Sequence, residues 1–464
     1  MLIISGIVFG WPPLEDEMEK QGVFRYLCAP GQDTCKSQAL RLNLVYTLGA
    51  FTATGSAVAS GAIFDRYGPV WTSITAMIIM VLGCTCWYFT ESINQNMYIL
   101  SFALLGIGGP ACQVSLIHIS NLFPSLTSAI STAFSGMFVG SSFVFKVFSY
   151  IANNYNVGIP VLFLYYIIVL VILFIPSILM MHHKPYLPKA ELTGSSSPSI
   201  SHNNDNNNDN NNDNDNDNND AASQVLIDDT SINHWTKFRQ MDLLQQLLSW
   251  PFLVLVTFMS INSLHMVYYI GAVNDIFTND PIYVGVFTYA WNGGVVLVPF
   301  VGLLMQRSTL TMNAFYVNLA GIIFGIFSSI PVLQVQYVAF FFISLQNVYI
   351  WGFFFIYLSE VFGYANYGKL MGISSVVTAI VGLLEYLLVY LTLNVMKYYW
   401  VNMTLTILKV GLFYLPYRMR QQTMQRNSYE PINYSDNQPA TTTIATSSST
   451  SSKTTTTTTT ISTN

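Results

Sequence analysis

Charged side chains are scarce in this chain of 464 residues, of which 9% are Asp, Glu, Lys or Arg and 52% are hydrophobic. A soluble domain carries about 25% charged residues, so lipid must solvate the bulk of this chain. The five cysteines form no Cys-x-x-Cys pair, and the motifs Gly-x-x-x-x-Gly-Lys-Ser/Thr, Gly-x-Ser-x-Gly and His-Glu-x-x-His are absent. We therefore expect neither an ATP-driven pump nor an enzyme, and no cofactor or metal.

Long apolar runs predict twelve membrane spans. A helix needs about 20 apolar residues to cross a bilayer. The first run, 1–14, is shorter, and we expect the beginning of span 1 to be missing. The other eleven lie near 39–61, 70–90, 97–121, 126–150, 157–181, 251–274, 282–305, 311–331, 336–359, 367–394 and 399–417.

A polar stretch separates six spans from the next six. It contains an Asn/Asp tract that cannot bury a core, and this tract accounts for most of the net charge of −5. No basic stripe points to a nucleic acid partner. The predicted organisation is a six-helix bundle (1–181), a disordered cytoplasmic loop (182–245), a second six-helix bundle (246–417) and a Ser/Thr-rich disordered cytoplasmic tail (418–464).

The turn between spans 2 and 3 carries the most specific motif, Gly61-Ala-Ile-Phe-Asp65-Arg66-Tyr67-Gly68-Pro69, and Gly302-Leu-Leu-Met-Gln306-Arg307 repeats part of it 241 residues later. We expect Gly61 to permit a close backbone approach. We expect Asp65 to face the N-terminus of span 11 near Lys369 when the cytoplasmic side is shut, and Gly68 to form the turn.

The pattern Gly-x-x-x-Asp-Arg-x-Gly resembles the signature between helices 2 and 3 of major facilitator superfamily transporters. Taken alone, it also fits any polar turn in a multi-span protein. The resemblance implies an all-α membrane protein with the major facilitator fold, twelve transmembrane helices in two pseudo-symmetric six-helix bundles.

Within that superfamily the chain resembles the solute carrier 43-type family of system-L large neutral amino acid transporters. The most specific matches are Gln38-x-x-x-Leu42-Asn43-Leu44-x-Tyr46-Thr47-Leu48-Gly49 and Tyr367-Gly368-Lys369-Leu370-x-Gly372. The resemblance implies facilitative transport of large neutral amino acids by alternating access. A carrier of nucleobases or other small organic solutes, and a non-transporting receptor or scaffold of the same fold, remain alternatives.

In this fold, the resemblance implies a solute site near mid-membrane, lined mainly by helices 1, 4, 7 and 10. A zwitterion needs hydrogen-bond donors, acceptors and an apolar pocket, which amides and aromatic residues supply without fixed charge. For each residue, the alternative is that it only packs helices together. Depth along the four spans selects Gly10, Trp11, Gly108, Gly109, Gln113, Asn262, His265, Tyr269, Gln346, Asn347 and Trp351.

Two intramembrane charges, Lys146 and Glu385, occupy equivalent positions in the two halves, 239 residues apart. Such charges are functional candidates, and we predict that both join an outer gate. Snorkelling toward the membrane surface is the alternative. No carboxylate lies plainly at mid-depth in spans 1, 4, 7 or 10, which favours a uniporter over a proton symporter.

The distribution of Lys and Arg predicts cytoplasmic termini, because ten lie on the cytoplasmic side of that arrangement and five on the other. Cys28 and Cys35 then lie in an outer loop, where they form either a disulfide or two free thiols. Tyr429-Glu-Pro-Ile432 fits the Tyr-x-x-apolar pattern read by sorting adaptors, which favours the plasma membrane or an endosomal or vacuolar membrane. We expect a monomer with a small-molecule substrate.

Overall fold

In the computed structural model, helices make up nearly all of the part of the chain that is described, residues 1–117, 119, 127–181, 232–363 and 365–429. Eight helical stretches in this part are long and apolar enough to cross a membrane, with the second and third spans counted together as Lys36–Ile93. These apolar runs form helices because a helix pairs its backbone N–H and C=O groups with each other, which lipid cannot do for them.

The first group of helices corresponds to predicted spans 1 to 6. A short 3-10 turn at Ile7–Gly10 precedes them. The helices are α1 (Trp11–Lys20), α2 (Lys36–Gly55), α3 (Ala57–Ile93), α4 (Met97–Ile117), α5 (Thr127–Ser141), α6 (Val144–Tyr155) and α7 (Ile159–Met180).

The second group corresponds to predicted spans 7 to 12, and two short helices lead into it. The lead-in helices are α8 (Ile232–Arg239) and α9 (Leu243–Leu247). They are followed by α10 (Trp250–Ile276), α11 (Pro281–Arg307), α12 (Leu310–Ser328), α13 (Gln336–Phe362), α14 (Tyr367–Gly382), α15 (Leu384–Asn394), α16 (Tyr398–Gly411) and α17 (Tyr414–Tyr429).

The turn between spans 2 and 3 is tighter than the predicted one. The chain stays helical through Asp65 and Arg66, and leaves the helical conformation at Gly68, with φ of 84° and ψ of 179°. A residue with a Cβ rarely adopts that φ, so glycine is needed there. Pro69 then starts the next span, where its fixed φ suits a first turn of helix.

Spans 5 and 11 break at equivalent places. The break between α5 and α6 falls at Ser142 and Phe143, and the break between α14 and α15 falls at Leu383. Ser142 and Leu383 are 241 residues apart, the same offset that relates the two Gly-x-x-x-Asp/Gln-Arg motifs. The repeat detected in the sequence therefore has a counterpart in the helix geometry.

The two groups meet along a continuous boundary. Helix α2 packs against α14, α15 and α10, α5 packs against α11, and α1 packs against α10. Within the groups, α3 packs on α4 and α12 packs on α13. The boundary is where an alternating-access carrier places its solute site.

Candidate substrate site

A narrow central cavity lies on the boundary between the two groups. The first group contributes Phe9, Thr54, Phe138, Val139 and Ser142, and the second contributes Ser263, Met266, Val267, Ile270, Trp291, Asn347 and Trp351. Only about 30 Å³ is open to the centres of water molecules. That holds a few waters at most, so the boundary must widen to admit a solute.

Four of the twelve residues that line the cavity are aromatic, and among the described residues none in the wall is charged. Phe9 and Phe138 face each other with ring centroids 5.8 Å apart, and the indoles of Trp291 and Trp351 lie on the opposite group. Ser263 Oγ and Trp291 Nε1 are buried without a hydrogen-bond partner. Unsatisfied buried polar atoms are costly, so both groups can gain a hydrogen bond from a polar molecule that enters the cavity.

Two of the predicted site residues line this cavity, Asn347 and Trp351, both from α13. Ser142, also in the wall, bonds across the boundary to Asn292 of α11, with 2.6 Å between its Oγ and Asn292 Oδ1. The sequence analysis did not select Ser142, Ser263 or Trp291.

Four other predicted residues belong to a polar network inside the second group. Gln346 Nε2 donates to Asn262 Oδ1 at 2.7 Å, His265 Nε2 lies 3.0 Å from Asn402 Oδ1, and Tyr269 Oη donates to Gln336 Oε1 at 3.2 Å. Lys409 of α16, also missed, lies at 0% exposure with its Nζ 3.4 Å from Gln346 Oε1. These contacts favour the helix-packing alternative for Asn262, His265, Tyr269 and Gln346.

The residues selected on spans 1 and 4 also lie in packed surroundings. A Cβ on Gly10 would collide with the Ser142 backbone, one on Gly108 with Met80, and one on Gly109 with the Ser5 carbonyl. Trp11 is wholly buried, with its ring centroid 5.8 Å from that of Tyr46. Gln113 on α4 is half-buried and outside the cavity wall. Span 4 therefore supports the site without lining it.

A second, wider cavity, the vestibule, lies at the end of the helix bundle where the loop between α1 and α2 carries Cys28 and Cys35. It offers about 420 Å³ to water and is lined by Glu15, Asp16, Glu19 and Asp275, with Lys36 and Lys146 among the other lining residues. Burial, and then the nearby Asp16 carboxylate, raise the pKa of Glu19. The vestibule and the central cavity are separated by contacts that cross the boundary.

Hydrogen bonds close the boundary at the vestibule end. Asn274 of α10 donates to the Pro12 carbonyl at 2.9 Å and to Glu15 Oε2 at 2.6 Å. Glu385, at 0% exposure, contacts Thr47 of α2, with 2.5 Å between Glu385 Oε2 and Thr47 Oγ1. Lys146 is half-buried and lies over the Tyr289 ring, 5.5 Å from its centroid. Lys146 and Glu385 thus each contact the opposite group, and they do not contact each other.

At the other end of the boundary, Asp65 lies beside the first turn of α14. A Cβ on Gly368 would be 4.0 Å from Asp65 Oδ2. Arg66 lies over the Tyr67 ring, 5.4 Å from its centroid, and Lys369 is exposed. The close backbone approach expected at Gly61 does not occur, because a Cβ there would meet nothing within 4 Å.

Two predictions concern the loop and the tail. Cys28 and Cys35 are joined by a disulfide with 5.6 Å between their Cα atoms. Helix α17 ends at Tyr429, and the remainder of the Tyr429–Ile432 pattern lies outside the described residues.

A family model described as the Major Facilitator Superfamily matches residues 32–384, more than half of the chain. The chain belongs to the Major Facilitator Superfamily. It is a multi-pass membrane protein that carries out facilitative transport of a small molecule, and it is not an enzyme. The predictions of the fold class and of a transporter are confirmed.

Relatives within the Major Facilitator Superfamily differ in how much of the chain they match. Equilibrative nucleobase transporter 1 of Bos taurus is 24% identical over 91% of this chain and 94% of its own length. Large neutral amino acids transporter small subunit 3 of Mus musculus is 24% identical over 34% of this chain and 30% of its own length. A solved structure of the proton:xylose symporter XylE covers 88% of this chain and 93% of its own, with a TM-score of 0.60 at 12% identity, which shows a shared fold.

Proposed function

We propose that this chain is an equilibrative carrier of neutral, planar heterocycles of the nucleobase class, working by alternating access. The observation that carries the proposal is the central cavity, which combines aromatic side chains and two unpartnered polar groups with no charged side chain. The choice of substrate class therefore departs from the first expectation of amino acids and takes up its alternative.

The chemistry of the wall suits a nucleobase. Indole and phenyl rings stack on a flat heterocycle, and such stacking contributes about 1–3 kcal/mol per base in other proteins. Asn347 offers both a donor and an acceptor to the edge of the base, Trp291 Nε1 offers a donor, and Ser263 Oγ offers either. A zwitterion would bring two full charges into a wall that has no charge to offset them.

The extent of similarity supports the same class. The nucleobase transporter of Bos taurus aligns with nearly the whole chain, whereas the amino acid transporter of Mus musculus aligns with about a third of it.

Large neutral amino acids are the second candidate, favoured by the 3-10 turn at Ile7–Gly10. Phe9 of this turn lines the cavity. Backbone N–H and C=O groups at such an irregular turn are available to bind the carboxylate and ammonium groups of a zwitterion when the cavity opens.

Uptake of radiolabelled adenine and leucine, in cells with the protein at matched surface level, separates the two classes. We expect saturable adenine uptake, independent of sodium and not competed by leucine. Asn347→Ala should raise the KM for adenine about tenfold or more, as expected for a lost hydrogen-bonding partner in the site. Gln113→Ala is the matched control, since Gln113 lies outside the cavity wall and the variant should keep the wild-type KM. Leucine uptake without adenine uptake would overturn the nucleobase assignment.

Alternating access would use the two sets of boundary contacts in turn. Asp65 beside α14 would hold the motif end shut, and Asn274 with Glu385 would hold the vestibule end shut. Asp65 would interact there with the positive end of the α14 dipole, a contact expected to contribute about 1 kcal/mol.

The same proposal places the termini in the cytoplasm and the vestibule outside. Support comes from the excess of Lys and Arg on the motif side and from the disulfide, which forms in oxidising compartments. We also propose a monomer in the plasma membrane or an endosomal or vacuolar membrane, sorted through Tyr429–Ile432. Mutation of Tyr429 to Ala should then increase the surface level measured by biotinylation, and an unchanged level would contradict the sorting role.

A further inference from the structure

Glu385 crosses the boundary between the two groups of helices, on the vestibule side of the central cavity. Its carboxyl contacts Thr47 of α2, seven residues from the cavity residue Thr54 and about 10 Å along the helix. A Cβ on Gly271 of α10 would collide with Glu385 Oε1 and with Asn43 Oδ1 of α2. Neither of those oxygens has a hydrogen-bond partner. An incompletely satisfied acidic group therefore lies at a junction that transport must open.

Both contacts of Thr47 are satisfied together when Glu385 carries a proton. Thr47 Oγ1 lies 2.9 Å from the main-chain oxygen of Asn43 and 2.5 Å from Glu385 Oε2. A hydroxyl has one proton to donate, and a main-chain carbonyl can only accept. When Thr47 donates to Asn43, its contact with Glu385 is a hydrogen bond only if the carboxyl is protonated and donates to Thr47 Oγ1. The 2.5 Å separation fits an O–H···O bond.

Among the described residues, no cation forms an ion pair with Glu385. The ion pairs among the described residues link Lys20 to Asp16 and Glu17, and Arg25 to Asp33, and none includes Glu385. An isolated carboxylate at 0% exposure is strongly disfavoured relative to the neutral acid.

The groups that face Glu385 are the uncharged hydrogen-bonding side chains of Thr47 and Asn43 and two tyrosines, and none of them is a cation. Helix α15 packs against α2, α10, α16 and α14. Tyr46 of α2 and Tyr268 of α10 interact electrostatically with Glu385, and the vestibule carboxyls Glu15 and Asp275 act on those same tyrosines. Tyr398 of α16 acts on Tyr268, and the charged residue of α14, Lys369, is at the opposite end of that helix.

We infer that Glu385 is a proton-binding site that makes opening toward the vestibule depend on the outside pH, without carrying protons across the membrane. The inference rests on the proposed alternating access with the vestibule outside. With the vestibule end shut, the neutral acid donates to Thr47. When that end opens, water reaches the carboxyl, which ionises and releases its proton to the outside.

Reclosing takes a proton back from the same side. In the inward-facing state the vestibule contacts are shut, so Glu385 stays sealed from the cytoplasm. The proton thus returns to the side from which it came, and transport remains equilibrative. Raising the outside pH favours the open form, and where that form is ionised and the closed form is protonated, each pH unit changes the open-to-closed ratio by about tenfold.

The test measures opening directly and needs no substrate. Thr288, at 3% exposure in the vestibule wall, is replaced by cysteine in the full chain, and its reaction with a membrane-impermeant maleimide is followed in intact cells. The chain without the introduced cysteine corrects for the free Cys84, Cys86 and Cys112. Dividing each rate by that of the same cysteine in a Glu385→Gln chain cancels the pH dependence of the thiol itself, because Gln mimics the neutral acid and cannot ionise.

We expect this rate ratio to rise several-fold or more between about pH 5.5 and 8.5 outside, and to stay constant when the inside pH is varied with an ionophore. A ratio that does not change with outside pH would overturn the inference. So would cytoplasmic acidification that accompanies substrate entry mole for mole, since that would make Glu385 part of a symport pathway.

A second variant guards against a folding defect in Glu385→Gln. Thr47→Val keeps Glu385 and removes the hydroxyl that it contacts. Labelling of the introduced cysteine should therefore increase at every pH, and it should still change with outside pH. If labelling no longer changes with pH, the assignment of the proton site to Glu385 is wrong. If neither adenine nor leucine is taken up but the labelling ratio behaves as expected, the substrate proposal fails and the proton site stands.

Discussion

Glu385 and Lys409 are both at 0% exposure in the second group of helices, but different parts of the molecule hold them. The partner of Glu385 is Thr47, which lies across the boundary on α2. The partners of Lys409 are the Gly321 carbonyl and Gln346 Oε1, each 3.4 Å from Nζ, on α12 and α13 of its own group. A buried charge can respond to a conformational change only if that change alters its contacts, so burial alone does not identify a functional charge.

The largest expected difference is between two glycine-to-alanine changes, one at the boundary beside Glu385 and one inside the second group. A Cβ on Gly271 would collide with Glu385 Oε1, and one on Gly325 would collide with the Thr406 side chain, which is inside the second group. Gly271→Ala should push the vestibule end open and raise labelling of the Thr288→Cys chain about tenfold or more, the shift expected for about 1.4 kcal/mol.

Gly325→Ala should instead overpack two helices that cannot separate. We expect it to cost about 1–3 kcal/mol of stability and lower the Tm in detergent, with labelling unchanged. If Gly271→Ala lowers the Tm as much and leaves labelling unchanged, the Glu385 junction is as rigid as the interior of the second group.

Replacing Lys409 tests whether a buried charge held inside one group affects opening. Lys409→Met keeps a similar length and removes an amine that has no acidic partner among the described residues. Substituting an apolar side chain for an uncompensated buried charge should stabilise the protein by about 1 kcal/mol and raise the Tm by a few degrees. The pH dependence of vestibule labelling should be unchanged, and its loss would give Lys409 a role in opening.

Asp65→Asn is expected to have the smallest effect, at the opposite end of the same boundary. Removing the carboxylate beside the first turn of α14 weakens a contact of about 1 kcal/mol and should shift the carrier about fivefold toward the inward-open form. Vestibule labelling should therefore fall, the reverse of the change in Gly271→Ala. Asp65→Glu keeps the charge and serves as the control; labelling that rises in Asp65→Asn would contradict the role given to the motif.

The fold could be predicted from the sequence because its signals are long-range and repeated. Apolar runs of about 20 residues can only be spans, and the two motif copies at one offset give the two halves. The site was harder to predict, because a helix buried on all sides has no polar face to fix its rotation. On α10 the prediction chose Asn262, His265 and Tyr269, whereas the cavity is lined by the adjacent stripe, Ser263, Met266, Val267 and Ile270.

The unknown rotation of the helix also explains why the prediction chose both Gln346 and Asn347. They are neighbours in sequence but point about 100° apart on α13. Asn347 lines the cavity and Gln346 bonds to Asn262 inside the second group. The sequence analysis did not single out Lys409, although it lies near the middle of the predicted span 399–417. Its inward orientation depends on oxygens from α12 and α13, which no local pattern records.

The bond between Cys28 and Cys35 also records how the chain was inserted during its synthesis. Thiols oxidise in the secretory lumen and are kept reduced in the cytosol. A chain inserted with this loop in the cytosol would keep two thiols, whereas a chain inserted the other way would show them only after reduction. The number of reactive thiols is therefore counted before and after adding a reductant, and a Cys28→Ser chain, which cannot form the bond, serves as the reference. The increase on reduction reports on which side of the membrane the loop was inserted, without any tag.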